Sequence, residues 1–258
     1  MSVIFPHSLP ESVWLIGTVE CPAAMGRAPS ALRACVGCCR RFAETVLDRA
    51  LATMLILSFG AAIAAAAQSS SIDLSHQQIG SPPQNFEFWR AGEADRGHWK
   101  VVREATSAGS LSIQQSGADR AARPSLAVYD PVSAVNAKVR ARFKLVNGSL
   151  PSAGIVLRVT SPNDYYLVRA SAPEQRLSLL HVVHGATEEI AGVDAEIAED
   201  HWQTLEIVAR GNGFSMWLDD QWALSAFDYG ELVGGRFGIW TERDDVTQFD
   251  QIEISPLT

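Results

Sequence analysis

Cysteine is absent beyond Cys39, so most of this 258-residue chain carries no thiol. The four cysteines lie among the first 49 residues, where no hydrophobic period is sustained. A zinc site needs four ligands, usually as two spaced pairs, and Cys35, Cys38 and Cys39 are accompanied only by His7 before residue 76. We therefore interpret residues 1–49 as a non-structural extension and expect packing, without disulfides, to stabilise the remainder.

A helical stripe of apolar residues is absent from residues 68–258, and an excess of basic residues is absent too. The first 67 residues hold five of the 21 Lys and Arg and four of the 29 Asp and Glu, which leaves 16 basic and 25 acidic residues, a net charge of −9. Binding to phosphates requires a basic surface, so this balance argues against a nucleic-acid partner. The remaining 191 residues suit one domain with a full core.

Residues 50–67 form an uncharged apolar run that follows three arginines and ends in alanines. This order is typical of a secretory signal peptide, so we expect a periplasmic or secreted protein. An uncleaved membrane anchor is the alternative, because the run approaches the ~20 residues that span a bilayer. Its alanine-rich second half favours cleavage. Because the signal begins 49 residues into the chain, we expect translation to start later, at Met54 or near Val46.

The rest of the chain predicts short strands. Residues 135–145 alternate between apolar and polar side chains, which indicates one buried and one solvated face. Gly211-Asn212-Gly213 is typical of a hairpin turn. The last strand, residues 248–254, breaks its alternation once, which indicates a β-bulge. About ten such strands predict an antiparallel β-sandwich or closed barrel over residues 84–258.

Other segments lack this pattern. Residues 68–83 are polar and turn-rich, so we expect a linker before the domain. Residues 186–200 are acidic and alanine-rich, which favours a loop. The strand that begins at Leu126 is expected to stop at Asp130-Pro131, because proline cannot donate to a strand ladder.

Residues 152–170 predict a hairpin at the centre of a sheet. Two apolar runs flank a turn at residues 161–164, where Pro fixes φ and Asn and Asp tolerate turn geometry. Arg158 and Arg169 interrupt these runs, and arginines are rarely buried without a partner. A four-residue turn places Arg158 on the face of Tyr165 and Arg169, whereas an odd-length turn makes Arg169 point away.

Several runs of this sequence resemble those of a known family. They are Ala153-Gly-Ile-Val-Leu-Arg158, Asn163-Asp-Tyr-Tyr-Leu-Val-Arg169, His201-Trp-Gln-Thr-Leu205 and Phe237-Gly-Ile-Trp240 with Phe249-Asp250. Together they are similar to bacterial secreted concanavalin A-like jelly-roll domains of the laminin-G-like, 3-keto-disaccharide hydrolase and family-16 glycoside-hydrolase-like group. The resemblance covers residues 84–256. It implies an all-β, antiparallel two-sheet β-sandwich whose concave face often binds glycans.

The paired catalytic glutamates of family-16 glucanases are not found in this sequence. In those enzymes two glutamates share one strand face, which brings the nucleophile close to the acid/base. Glu196 and Glu199 are three residues apart in a loop-like segment. We therefore expect an exported, non-catalytic carbohydrate-binding or cell-envelope interaction domain. The alternatives are an enzyme of the 3-keto-disaccharide hydrolase type, using Asp164 or Asp250 with two arginines, and a purely structural envelope protein.

Four residues are the expected ligand-binding set, namely Arg158, Tyr165, Arg169 and Trp240. Arginines donate to sugar hydroxyls or carboxylates, and sugar rings lie flat on aromatic rings. The alternative is that each arginine is tied to an acid at the edge of the core and that the rings belong to the core.

No cofactor is predicted apart from one structural calcium ion, which domains of this resemblance often hold. Asp250, with Glu87, is the expected carboxylate pair for such an ion. His181 and His184 are three apart on a strand, so they face opposite ways and cannot bind one metal together. The basic residues that alternate along 138–144 predict a solvated face, with binding of anionic glycan or lipid headgroups as the alternative.

Overall fold

A computed structural model describes residues 69–90, 98–116 and 123–258. The predicted extension at 1–49 and the predicted signal peptide at 50–67 lie outside these residues. Within the described part, no helix is both long enough and apolar enough to cross a membrane. Apart from a 3-10 turn at Ala108–Ser110, these residues form strands and the loops that connect them.

The predicted two-sheet antiparallel β-sandwich is confirmed, and its two sheets form a jelly roll. In the described residues the eight-stranded sheet contains, from edge to edge, β13 (Gln221–Phe227), β12 (Gly213–Leu218), β11 (Trp202–Arg210), β6 (Ala137–Asn147), β15 (Val246–Pro256), β4 (Leu111–Gln115) and β3 (Trp99–Arg103), with β1 (Ser70–Ser71) paired to β15. The seven-stranded sheet contains β10 (Ala186–Asp194), β9 (Arg176–Val183), β8 (Asp164–Ser171), β7 (Ser152–Ser161), β14 (Gly235–Thr241), β5 (Ser125–Ala134) and β2 (Phe86–Arg90).

Strand β6 shows how an alternating sequence fixes the layers. Its apolar residues are buried and its basic residues lie on the outer face, which confirms the predicted alternation. The basic side chains are paired with acids across the sheet: Lys138 Nζ lies 2.9 Å from Glu206, and Arg140 lies 2.6 Å from Asp220. The row is therefore a half-exposed, internally neutralised surface.

Apolar side chains form two clusters. The main core lies between the sheets, and burial of each large side chain there stabilises the fold by about 1.5–3 kcal/mol. The second, which we call the outer-face cluster, lies on the side of the seven-stranded sheet that faces away from the core. Its members are Leu126, Val128, Val156, Val159, Tyr165, Leu167, Leu180, Val182 and Trp240.

The bulge predicted in the last strand is confirmed. Asp250 pairs with Arg142, whereas Glu253 pairs with Arg140, so β15 contains one residue more than its partner. Gln251 has φ of 46° at this point. The extra residue lets Ile252 and Ile254 face the core after the break in alternation.

Two predicted boundaries are wrong. The segment expected to be a loop contains β10, an edge strand whose exposed side chains give no alternation, although its backbone pairs with β9. Strand β5 continues beyond Asp130-Pro131 to Ala134. The register with β14 shifts here, because Arg236 pairs with Ser133 while Phe237 pairs with Tyr129. Pro131 therefore lies in a bulge, where the ladder does not require a backbone N–H.

The polar segment before the domain joins the eight-stranded sheet. Ser70 pairs with Ile254, and the backbone N–H of Ile72 donates to the carbonyl of Ile252 at 2.9 Å. Ile72 and Leu74 pack against the main core.

Candidate functional site

Arg158 lies in a β-bulge of the central hairpin. Leu157 pairs with Tyr166, and Ser161 pairs with Asp164, so three residues of β7 stand opposite a single residue of β8. Arg158 adopts φ of 50° within this bulge. The register therefore changes inside the hairpin, and neither of the two predicted registers is right.

The bulge turns the Arg158 side chain into the end of the sandwich, where it is only 4% exposed. Its Nε donates to the carbonyl of Val135 at 2.9 Å, and its Nη2 donates to the carbonyl of Gly211. The guanidinium lies 5.1 Å from the ring centre of Phe214 and 5.6 Å from that of Tyr166. Burial lowers the pKa of this guanidinium. Arg158 thus joins the two sheets from within, and its role in ligand binding stays a prediction.

Arg158 also lines an end pocket of 280 Å³ with Tyr166 and His181. The Tyr166 and His181 rings stack at 4.0 Å between centres, with 8° between their planes. Tyr166 donates to Asp228 Oδ2 at 2.7 Å, and His181 Nδ1 lies 3.3 Å from the same oxygen. Burial raises the pKa of Tyr166, and the hydrogen bond to Asp228 raises it further. The polar groups of this end are therefore satisfied by one another.

Asp164, the acid proposed for an enzymatic role, also lines this pocket. It accepts hydrogen bonds from Ser161 Oγ at 2.6 Å and from the backbone N–H of His184 at 2.8 Å. These bonds lower the pKa of Asp164. A general acid at neutral pH needs the opposite shift. Asp250 lies on the outer face of the eight-stranded sheet, apart from Arg158 and Asp164.

Tyr165, Arg169 and Trp240 share the outer face of the seven-stranded sheet, as the sequence predicts. The Trp240 ring crosses Gly154, whose added Cβ would lie 3.4 Å from that ring. Trp240 is 2% exposed and Tyr165 is also buried. Burial raises the pKa of Tyr165 to about 12. Neither ring is open to solvent in this structure, and their role as stacking platforms stays a prediction.

A polar strip borders the outer-face cluster. Arg169 Nη2 lies 2.6 Å from Glu174, and Arg176 Nη2 lies 2.6 Å from Glu189. Among the described residues, neither Arg169 Nε nor Trp240 Nε1 has a hydrogen-bond partner, although both are buried. Arg169 is thus the one predicted ligand-binding residue whose side chain is paired with an acid at a solvent-accessible edge.

The two residues expected to hold calcium lie on opposite outer faces of the sandwich. Asp250 Oδ2 accepts the backbone N–H of Ala108 at 2.7 Å, and Arg142 Nε lies 3.4 Å from its Oδ1. Glu87 lies 2.9 Å from Arg236. In the described ranges, no group of three or more His, Cys, Asp or Glu side chains could hold a metal ion.

Asp245 is a buried carboxylate that sequence reasoning missed. It accepts backbone N–H groups of Ser152 at 2.9 Å and Leu150 at 3.3 Å, and it lies so close to Gly148 that an added Cβ would meet its Oδ1 at 2.0 Å. Burial raises its pKa to about 7, partly offset by these two hydrogen bonds. In the sequence it follows another aspartate in a polar turn, which is the pattern of an exposed residue. Its role is to hold two loops together.

An edge groove of 660 Å³ lies where the chain crosses from the seven-stranded to the eight-stranded sheet. Its walls include Leu218, Ala223 and the ring of Trp222, which is 63% exposed. Two polar side chains are fixed within it. Gln203 Nε2 donates to Asp219 Oδ2 at 3.0 Å, and Asp219 Oδ1 accepts the backbone N–H of Thr204 at 2.7 Å.

The groove also contains the acidic segment that the sequence predicts as a solvated loop. Asp194 and Glu196 line it with exposed side chains, beside His201. The described lining contains no Lys or Arg. An open indole beside fixed carboxylate and amide groups can therefore bind a ligand with one apolar face and several hydroxyl groups. No sequence signal separates Trp222 from the buried tryptophans, because edge-strand exposure is a tertiary property.

Comparisons with known proteins identify the fold. No protein-family model matches the chain, and no curated protein matches it either. Among solved structures, a carbohydrate-binding module, CBM66 from Bacillus subtilis, superposes with a TM-score of 0.53 at 17% identity, covering 67% of this chain and 97% of the module. Domain 4 of the extracellular arabinanase AbnA from Geobacillus stearothermophilus, solved with arabinotriose, superposes with a TM-score of 0.51 at 10% identity, covering 72% and 91%. Both are β-sandwiches of the same layered type.

Proposed function

We propose that this chain is an exported, non-catalytic glycan-binding domain whose binding site is the edge groove. The observation that carries the proposal is the Trp222 ring, open to solvent at a groove whose polar groups are already held in place. Sugars present apolar C–H faces that lie on aromatic rings and hydroxyls that pair with carboxylates and amides. Preorganised polar groups lower the entropy cost of binding.

The charge of the groove narrows the ligand class. Glu196 and Asp219 give it a negative lining, whereas Asp194 lies 3.4 Å from Arg176. An anionic glycan would be repelled there, since like charges brought together in a partly desolvated site raise the free energy. We infer a neutral or amino sugar.

Likeness of fold supports this assignment without fixing the ligand. One similar structure is described as a carbohydrate-binding module, and the other holds arabinotriose. A shared fold alone does not imply a shared function, so the groove residues carry the argument.

Export is the second part of the proposal. It rests on the apolar run at 50–67 and its basic flank. N-terminal sequencing of the exported protein should find a start close to Gln68. Recovery of residues 1–49 in the mature product would contradict this assignment.

The direct test is a glycan array followed by titration calorimetry on the best neutral glycan. We expect Trp222→Ala to weaken binding by about two- to tenfold, because loss of ring stacking costs about 0.5–1.5 kcal/mol. Exposed Ile79 provides the matched control, Ile79→Ala, since its neighbour Gly80 is hydrogen-bonded to Val101 in β3, at the edge opposite β13. Unchanged affinity of Trp222→Ala would exclude the groove, and loss of binding in Arg169→Ala instead would place the ligand on the outer face of the seven-stranded sheet. Release of reducing sugar by the purified protein would contradict the non-catalytic assignment.

A further inference from the structure

Edge strand β13 and the residues after it expose an unusual number of rings. Trp222 is 63%, Phe227 54% and Tyr229 89% exposed. Phe227 and Tyr229 contact each other at 4.9 Å between ring centres. Most other aromatic side chains in the described ranges are buried or half-buried. We call these three residues the aromatic row.

Strand pairing places Trp222 and Phe227 on the outer face of the sheet. Leu224 and Ala226 pair with Met216 and Phe214, which face the core, so Phe227 faces outward. A register shift after Leu224 places Trp222 opposite Trp217, which also faces outward. Phe227 lies over Gly213, where an added Cβ would be 3.8 Å from its ring.

Hydroxyl groups lie between the rings. Ser225 pairs with Ser215, and their Oγ atoms are 2.7 Å apart. The Trp222 Nε1 donates to Ser225 Oγ at 3.4 Å. Along the strand, the hydroxyl groups of Ser215 and Ser225 therefore lie between the rings of Trp222 and Phe227, and Tyr229 follows Phe227.

We infer that the ligand is an extended polymeric glycan that runs along β13, from the edge groove at Trp222 to Phe227 and Tyr229. This inference rests on the proposed function. Trp222 pairs with Trp217 and Phe227 pairs with Gly213, so the two rings are four strand steps apart, or about 13 Å at 3.3 Å per residue. One sugar ring cannot contact both, so the row suits an internal stretch of a chain rather than a terminal sugar or a disaccharide.

The pattern favours a glycan over a protein partner. A stable protein interface buries about 800 Å² on each side as a continuous patch with an apolar centre. The aromatic row is one strand wide and is interrupted by Ser215 and Ser225. The groove at the start of the row has no Lys or Arg in its described lining, so the polymer is expected to be neutral.

The test is affinity electrophoresis of the exported chain in gels that contain barley β-glucan, arabinan or xylan. The matching disaccharide and hexasaccharide serve as competitors. We expect at least one polymer to retard the protein and its hexasaccharide to compete far better than its disaccharide. The double variant Phe227→Ala/Tyr229→Ala should weaken polymer binding by about tenfold while leaving disaccharide binding unchanged.

The outcomes separate the two proposals. Trp222-dependent binding of a disaccharide, with polymer binding unchanged in the double variant, would overturn the aromatic row and leave the groove intact. Absence of retardation by every polymer and of any hit on the array would overturn both. Ile79→Ala controls for loss of exposed apolar surface, and thermal unfolding checks that each variant is folded. Sedimentation that shows a dimer in the wild type and a monomer in the double variant would make the row a protein interface, which also overturns the inference.

Discussion

Removal of the Arg158 side chain tests whether this buried cation supports the fold or a ligand. In Arg158→Ala, the carbonyls of Val135 and Gly211 lose their donors. Each buried acceptor left unsatisfied costs about 1–3 kcal/mol. The contacts of the guanidinium with the Tyr166 and Phe214 rings are lost as well.

The expected loss in the free energy of unfolding is about 3–5 kcal/mol, within the sum for two unsatisfied acceptors at about 1–3 kcal/mol each. For a domain of this size, each kcal/mol shifts the melting temperature by about 2–4 °C, so we expect a fall of about 6–20 °C. Arg158→Lys keeps the charge but cannot donate to both carbonyls in the same geometry. Its stability should therefore lie between those of the wild type and Arg158→Ala.

Urea unfolding followed by tryptophan fluorescence measures this loss, with Arg169→Ala as the matched control. The ion pair of Arg169 with Glu174 is partly exposed, so its removal should cost less than about 1 kcal/mol. The reasoning fails if Arg158→Ala is as stable as Arg169→Ala. If Arg158→Ala does not fold, Arg158→Lys still reports the size of the effect.

Three further predictions concern buried or closely packed groups. Asp245 has a folded-state pKa of about 7, above the unfolded value, so the native state holds a proton that the unfolded chain has released. The contribution of Asp245 to stability should therefore be greatest near pH 4 and fall by up to roughly 4 kcal/mol as the pH rises to 7. Asp245→Asn should flatten that slope in urea titrations between pH 4 and 8, and an unchanged slope would disprove the assignment. Gly238→Ala should lower the melting temperature, because the new Cβ would lie 2.2 Å from the carbonyl oxygen of Ala127 and overpacking costs about 1–3 kcal/mol. A melting temperature equal to that of the wild type would contradict this close approach. Chelation with EDTA should leave the unfolding midpoint unchanged, since Asp250 is already engaged by the backbone N–H of Ala108, whereas a midpoint that rises with added calcium would show a metal site.

Strands with one solvated and one buried face were predictable from the sequence. The period of two in β6 identifies its buried face, and the single break in β15 identifies its bulge. Strand β10 could not be found in this way, because its edge position exposes both faces and removes the alternation. Proline at 131 indicated a strand end, yet the partner strand changes register there and the ladder resumes.

The candidate site was less predictable than the fold. The sequence marks Arg158 as a charge in an apolar run, and its burial with polar partners agrees with the alternative in which it organises the core edge. Which partners it takes depends on a bulge whose two extra residues turn the side chain between the sheets. Trp240 and Trp222 look alike in the chain, but one lies across Gly154 within a cluster and the other stands at an open edge.

The order of residues by itself determined that this protein forms pleated sheets with one shared core, because side-chain direction along a strand depends only on neighbouring positions. Tertiary structure alone decided which rings and charges meet solvent. That outcome depends on strand order and on edge position, which are set by residues far apart in the chain and leave no local trace.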